Sequence, residues 1–326
     1  MVAGADRNRF SLTVFALVRL MKHWKPHIVH SRNWGAIEAI PAARMAGVPI
    51  AVHSEHGYEL DMLSGLPLRR RIGRKFAFGF ADAVFTVTRE LRDYYVRHTG
   101  VSADRIRVIY NGVDTDRFSP RPSLRSALRR KFGIPEDSFV AGMVGRMVPI
   151  KDHGTLLKAA AILSQQGVDV HVLLVGSGPE MDNQKKAVAS TPELSGRVTF
   201  LGASDNVAEA LNAMDLFVLP SIAEGMSNTL LEAMASGVPV IVTPVGGSPE
   251  IVEENVSGRF FEPRDVTGLA RIFGEMAQNS DLRTRLGTAA RESILRRFTV
   301  ESMVSNYRNM YTELAHRRGV LRSALA

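Results

Sequence analysis

No cysteine occurs in the 326 residues, which rules out disulfides, thiolate metal sites and cysteine nucleophiles. That fits a reducing compartment. The opening stretch, MVAGADRNRF, lacks the apolar run of a secretory signal peptide. No segment reaches the roughly 18 consecutive apolar residues of a spanning helix, so the expectation is a soluble or peripheral, cytoplasmic protein. Internal repeats and low-complexity tracts are absent, as is any recognisable nucleic-acid motif, which ranks nucleic acid last among partners.

Positive charge, by contrast, is abundant: 41 Lys and Arg against 33 Asp and Glu leave a formal charge of +8. Such a balance suggests an anionic partner. The densest cluster is Arg69, Arg70, Arg71, Arg74 and Lys75, followed by Phe76, Phe78 and Phe80. One reading is a solvated helix face beside a buried one. The other is contact with an anionic membrane face, such as the inner face of the plasma membrane, or with a lipid-phosphate acceptor. Hydrophobic residues at 45% and charged residues at 23% are ordinary for a globular protein, and the length suffices for two domains.

Short β-branched runs alternate with helical periodicity, the pattern of parallel α/β folding. Strands are expected at 27–30, 48–53, 83–88 and 106–110, then at 139–144, 169–175, 197–201, 215–219, 238–242 and 258–261. Two doubly wound, Rossmann-like domains follow, at 1–115 and 116–298, with a helix over 299–326 after the last strand. Asn111-Gly112 and the prolines at 120 and 122 place a linker near 114–124. A doubly wound domain normally opens with a strand and a Gly-rich turn, whereas this chain opens with a polar segment and a helix over 12–23. The first domain is therefore expected to lack its opening strand and turn, and donor binding to survive better than transfer.

The strongest constellation is Glu224-Gly-Met-Ser-Asn-Thr-Leu-Leu-Glu232, just after a strand. Gly225, Met226, Ser227, Asn228 and Thr229 read as a loop entering a helix, whose first N–H groups suit phosphate. Glu232 is expected within that helix, about two turns from Glu224. Carboxylates repel a diphosphate, so both suit sugar hydroxyls better; the bland alternative is an acidic helix start with a solvated Glu232. A second element, Gly145-Arg146 to Lys151-Asp152, sets two cations at the carboxyl end of a strand, where open α/β sheets bind ligands. Arg forks onto phosphate oxygens and Lys supplies a point charge; alone, the two read as solvated loop residues. Gly176-Ser-Gly178-Pro-Glu180 lacks the third glycine of a dinucleotide fingerprint and reads as a tight strand-to-helix turn lining the nucleotide cleft. Gly246-Gly247 reads similarly. In Val52-His53-Ser-Glu-His56-Gly57, the two His and one Glu match no strong zinc spacing. A histidine there either supports the reacting sugar or is structural.

Together these elements resemble glycosyltransferase family 4, of the GT-B fold, from about His27 to Leu314. The family's E-x7-E motif is matched by Glu224 and Glu232. Gly145-Arg146 to Lys151, the 176–180 turn, Glu232-Ala-Met-Ala-Ser-Gly-Val-Pro239 and Asn111-Gly-Val-Asp114 support it. The wording is similar to bacterial sugar transferases of exopolysaccharide and exosortase gene clusters. The resemblance implies retaining transfer from a nucleotide-diphosphate sugar to a glycan or polyprenyl-linked acceptor, with no metal or other cofactor. By it, Arg146 and Lys151 hold the diphosphate, Glu232 the ribose, Glu224 the donor sugar, and His56 lies near the anomeric centre, with His53 the lesser match. It also implies that the last helix crosses back to the first domain. Two alternatives remain beside it: a nucleotide-sugar epimerase and a non-catalytic nucleotide-sugar binder. A phosphorylase ranks lower, for want of a pyridoxal-phosphate lysine motif.

Overall fold

A computed structural model describes residues 7–58 and 65–321, with side chains from Leu12 onward. The chain divides into two compact units, Met1–Tyr110 with Met303–Ala326, and Asn111–Ser302. The break precedes the stretch 114–124 expected as a linker. Val113 pairs in parallel with Thr299, and Asp114 Oδ1 accepts from the backbone N–H groups of Asp116 and Arg117 at 3.1 and 2.9 Å. That segment is therefore folded into the second unit.

The first unit runs α1 (Arg7–Trp24), β1 (Ile28–Arg32), α2 (Ala39–Ala46), β2 (Ile50–Glu55), α3 (Leu68–Phe80), β3 (Ala83–Thr86), α4 (Arg89–Thr99) and β4 (Ile106–Val108). Its four described strands are parallel, in the order β1-β2-β3-β4. Thr88 caps α4 by accepting from Leu91 N–H at 3.1 Å, the usual device for an unpaired first-turn donor. Gly100 ends α4 in the left-handed conformation. The closing helix, Val300–Arg317, lays Met310, Leu314 and Ala315 on Ile50, Val52, Ala83 and Phe85. It is tied there by Arg107 to Glu313 at 2.7 Å and by an ion pair of Arg318 with Asp82.

In the second unit α5 (Arg125–Lys131) leads to β5 (Phe139–Val144), α6 (His153–Gln165), β6 (Val170–Val175), α7 (Met181–Ala189), β7 (Val198–Gly202), α8 (Val207–Ala213) and β8 (Leu216–Leu219). Then come α9 (Asn228–Ala235), β9 (Val240–Val242), α10 (Ser248–Ile251), β10 (Arg259–Phe260), α11 (Val266–Gln278) and α12 (Ser280–Arg297). The basic stretch before β5 has a structural use. Arg129 is buried, donating to Asp215 Oδ2 at 2.6 Å and to the Ser138 carbonyl at 3.0 Å. The parallel sheet has the order β10-β9-β8-β5-β6-β7. The chain builds outward from β5 through β6 to β7, then returns beside β5 to build β8, β9 and β10. Strand order thus reverses between β5 and β8, the place where open α/β sheets part their loops and bind ligands at the strands' carboxyl ends.

Candidate functional site

The two strongest sequence elements leave the sheet at that reversal. β5 ends at Val144 and delivers Gly145-Arg146 to Lys151; β8 ends at Leu219 and delivers Ser221 to Glu224. Between Lys151 and α6, Asp152 turns the chain in the left-handed region (φ 49°, ψ 49°), which short polar side chains tolerate. Ile222 N–H donates to the Ile150 carbonyl at 2.8 Å, joining the two loops. Across that joint the Lys151 ammonium forms an ion pair with Glu224, whose Oε1 also accepts from Ser221 Oγ at 2.6 Å. Lys151 therefore reaches the site already neutralised, whereas Arg146 is exposed and its guanidinium has no partner among the described residues. Behind Lys151, His153 is buried; burial and the Lys151 charge lower its pKa to about 4, so it adds no charge.

Glu224 and Glu232 do not share one helix. Ser227 Oγ accepts from Leu230 N–H at 3.3 Å and starts α9 at Asn228, so Glu224 lies on the loop before it. Only Glu232 is helical. Its carboxyl is mostly buried, and desolvation raises its pKa from 4.5 to about 7 despite the opposing charge of Arg117. It makes no hydrogen bond or ion pair with any described residue. A carboxylate held this way costs free energy until donors arrive.

The polar loop side chains are more committed than their sequence suggests. The Ser227 hydroxyl is the helix cap, and it also lies 3.2 Å from Thr229 Oγ1. The Met226 sulfur receives Asn111 N–H at 3.2 Å, and Asn228 Oδ1 receives Asn111 Nδ2 at 2.9 Å. What Gly225 through Thr229 offer a ligand is chiefly backbone N–H at the start of α9. The sequence marks Asn111 as a turn and family signal; the structure makes it a brace for this loop. Its neighbour Gly112 has no room for a Cβ, which would strike the Thr299 carbonyl.

The glycine turns act by close approach. A Cβ on Gly176 would overlap the Gly145 carbonyl, and one on Gly178 the Met147 carbonyl. Met147 N–H donates to the Ser177 carbonyl at 2.9 Å, and Glu180 N–H to the Met147 carbonyl at 3.0 Å. The 176–180 turn thus clamps the Arg146 loop by its backbone. Gly246 (φ +54°) does the same for the other loop, passing so close to the Glu224 carbonyl that no side chain fits. Gly247 N–H donates to the Gly225 carbonyl at 2.7 Å.

In the first unit, strand alternation separates the two histidines. His53 and Glu55 face α3. His53 is fully buried, with Nδ1 at 2.7 Å from Ser31 Oγ and Nε2 at 3.3 Å from Glu55 Oε1. Glu55 in turn takes the Arg74 guanidinium at 2.5 Å, both side chains being at most 1% exposed. Burial alone would raise the Glu55 carboxyl; the hydrogen bond from His53 and the charge of Arg74 outweigh it and hold the pKa below the ordinary range. Arg74 is stacked between Trp34 and Tyr95, 5.1 and 5.0 Å from their ring centres. It therefore does not belong to the exposed basic patch expected over Arg69–Lys75.

His56 lies beyond the strand on the other face, its ring edge-on to Phe85. Its backbone N–H donates to Asn33 Oδ1 at 2.8 Å, and its Nε2 lies 2.9 Å from Ser54 Oγ. Burial, the Arg32 charge and His30 lower its pKa to about 4. Because His53 and His56 point to opposite faces, they cannot share one metal ion. Asn33, with φ 57°, was not singled out from sequence; no periodic signal marks a residue whose value is one backbone contact.

α3 carries a different feature on its outer side. Leu68, Ile72, Phe76 and Phe80 recur every four residues and are exposed, flanked by exposed Arg69, Arg71 and Lys75. Phe78 alone of the three phenylalanines is buried. No helix among the described residues is long and apolar enough to cross a membrane.

Comparison with known proteins agrees with this architecture. The family model described as Glycosyl transferases group 1 matches residues 125–293, and that described as Glycosyltransferase Family 4 matches residues 2–117. N-acetyl-alpha-D-glucosaminyl L-malate synthase of Bacillus anthracis is 32% identical over 88% of this chain and 74% of its own length. UDP-Gal:alpha-D-GlcNAc-diphosphoundecaprenol alpha-1,3-galactosyltransferase of Escherichia coli is 28% identical over 93% of this chain and 79% of its own. The crystal structure of a glycosyltransferase from Rickettsia africae superposes with a TM-score of 0.83 at 21% identity, covering 97% of this chain and 84% of that one. With two parallel α/β units of the GT-B type and motif loops meeting where the second sheet reverses, the chain belongs to the group 1, family 4 glycosyltransferases and is a sugar-transferring enzyme.

Proposed function

We propose that this enzyme takes its sugar from a nucleoside diphosphate donor and passes it, with retention at the anomeric carbon, to a lipid-linked or glycan acceptor in polysaccharide synthesis. One observation carries the donor assignment. At the strand reversal of the second unit an exposed Arg146 and a Glu224-held Lys151 accompany a mostly buried carboxylate, Glu232, and among the described residues neither Arg146 nor Glu232 has a side-chain partner. Arginine and lysine suit the diphosphate, and the start of α9 adds backbone N–H groups. Glu232 suits the paired hydroxyls of a ribose, and Glu224 the donor sugar as well as Lys151. With Arg146 and the N–H groups of α9 facing the leaving diphosphate, and Lys151 joining them once Glu224 turns to the donor sugar, the reaction is assigned no metal and no other cofactor. His56, neutral, supports the reacting sugar. The two relatives named above bear names consistent with sugar transfer, and that of the E. coli relative names a UDP-sugar and a diphosphoundecaprenol-linked acceptor.

Calorimetric titration of UDP, GDP and ADP tests the donor site. One nucleotide is expected to bind selectively, and Arg146→Ala to weaken it about tenfold or more, since a charge-assisted bond contributes about 1.5–3 kcal/mol. Equal affinity in wild type and variant would end the assignment of Arg146.

The outer side of α3 supports placing the acceptor at an anionic membrane. Leu68, Ile72, Phe76 and Phe80 suit the lipid boundary, while Arg69, Arg71 and Lys75 suit its headgroups, each basic residue contributing about 1 kcal/mol near the surface. Flotation with phosphatidylglycerol vesicles, but not with phosphatidylcholine vesicles, is the expected result. Arg69→Glu with Arg71→Glu should reduce it at least tenfold; unchanged flotation would remove the membrane from the proposal.

A further inference from the structure

Three hydrogen-bonded side chains in the first unit lead from the closing helix to His56. Tyr311 Oη lies 2.6 Å from His30 Nδ1. His30 Nε2 lies 2.9 Å from Ser54 Oγ, and Ser54 Oγ lies 2.9 Å from His56 Nε2. The sheet explains the meeting. Ser54 is paired in register with Arg32, and His30 with Val52, so alternation puts His30, Ser54 and His56 on the face that the closing helix covers. Phe85 packs edge-on against both imidazoles, and Tyr307 packs against Phe85.

Hydrogen counting makes this a directional chain. Ser54 has one hydroxyl hydrogen and stands between two imidazole nitrogens. The Ser31 carbonyl is also within reach of the hydroxyl at 3.4 Å, but both nitrogens are closer, at 2.9 Å, so one nitrogen donates to the oxygen and the other takes its hydrogen. With the hydroxyl hydrogen on the closer imidazole acceptor, two arrangements are consistent while both rings are neutral. In the first, Tyr311 O–H donates to His30 Nδ1, His30 Nε2–H donates to Ser54, and Ser54 O–H donates to His56 Nε2, which leaves the His56 proton on Nδ1. In the second every bond is reversed and His56 carries its proton on Nε2. A phenol is a better donor than acceptor toward an imidazole nitrogen, and burial keeps Tyr311 protonated by raising its pKa. The first arrangement is therefore favoured. In it His56 Nδ1–H, buried and without a partner among the described residues, is the donor left over, and such a group is worth about 1–3 kcal/mol once an acceptor reaches it.

We infer that Tyr311, His30 and Ser54 are positioning residues that hold His56 as the neutral Nδ1–H tautomer, reserving that hydrogen for an oxygen of the bound substrate. The catalytic part of this assignment rests on the proposed role of His56; the tautomer does not. Charged and titratable groups around the chain act in the same sense. Burial lowers His30 to about 4, aided by His53 and Arg32. His56 feels burial, Arg32, His30 and His53 in that direction, with Glu55 alone opposing. Both rings stay neutral across the physiological range.

Nitrogen-15 NMR of the imidazoles in the whole chain tests this directly, with the His56 signals identified by their loss in His56→Gln. A single Nδ1–H form is expected for wild type at pH 7. Tyr311→Phe keeps the ring packing and removes the O–H, so it should bring His56 to a mixture of tautomers. Ser54→Ala should do the same with Tyr311 intact. A wild-type Nε2–H form, or an unchanged Nδ1–H form in both variants, would overturn the inference. Turnover of whichever of UDP-, GDP- and ADP-glucose the enzyme hydrolyses separates the two levels. A several-fold lower kcat with unchanged KM in Tyr311→Phe supports the full assignment. A shifted tautomer with unchanged kcat leaves the chain of bonds standing and removes His56 from the reaction.

Discussion

Glu232→Gln is expected to make the free protein more stable above pH 7 and, at the same pH, to remove most of its affinity for nucleotide. The carboxyl has an ordinary value of 4.5 and a folded-state value of about 7. Between these the folded protein holds a proton that the unfolded chain has released. The contribution of that proton to stability is complete below about pH 4.5 and lost as pH rises through about 7. The interval corresponds to about 3 kcal/mol at 1.36 kcal/mol per pH unit, and partial exposure of the group reduces this to about 2 kcal/mol. Glutamine removes the charge at nearly the same volume. For a unit of this size each kcal/mol moves Tm by about 2–4 °C, so a rise of about 4–8 °C is expected at pH 8 and almost none at pH 5. Nucleotide affinity of the wild type should rise from pH 6 to pH 8 as the carboxylate forms, and the variant should lose at least tenfold at pH 8. Thermal unfolding and calorimetry at the two pH values decide it. The same Tm difference at both would show that Glu232 does not hold an uncompensated charge.

Arg74→Met is expected to destabilise the first unit by about 3–5 kcal/mol, the usual effect of removing one partner of a buried ion pair. Glu55 would be left with only His53, in a site closed to water. The Met chain fills much of the space between Trp34 and Tyr95 but offers no charge. Adding Glu55→Gln should recover a large part of the loss, because the isolated charge is then gone as well. Both tryptophans of the sequence, Trp24 and Trp34, belong to the first unit, so urea unfolding followed by tryptophan fluorescence reports on that unit alone. The depressed Glu55 carboxyl gives the wild type stability that is full above about pH 4.5 and lost as pH falls through the lower folded-state value. Arg74→Met should weaken that acid-side slope. A loss below about 1 kcal/mol would mean that the pair is not closed to solvent.

Much of the frame is legible in the sequence. β5 occupies the expected residues, Phe139–Val144, because a β-branched run bounded by turn residues allows one placement. The E-x7-E spacing and the Gly145 to Lys151 element read as a candidate ligand site, and the strands they leave adjoin in the sheet. Boundaries were less legible. Ser227 fixes the start of α9 at Asn228, inside the 225–229 stretch read as the helix entry, and the stretch 114–124, expected as a linker, belongs to the second unit, where Val113 already pairs with Thr299. A cap or a single bridge is one bond, too small to leave a periodic trace.

The sequence by itself determined the parallel α/β class, the number of described strands in each unit, and which residues were chemically fit to meet a diphosphate and a sugar. Those properties follow from local periodicity and residue chemistry, which neighbours along the chain express. Only the tertiary structure decided who meets whom. It paired Lys151 with Glu224, turned Arg74 inward to Glu55, left Glu232 without a donor, and strung Tyr311, His30 and Ser54 toward His56. Each of these depends on strand order and on which face of the sheet a residue occupies. Most of these contacts join residues far apart along the chain, and the hydrophobic packing that brings them together is a property of the whole core.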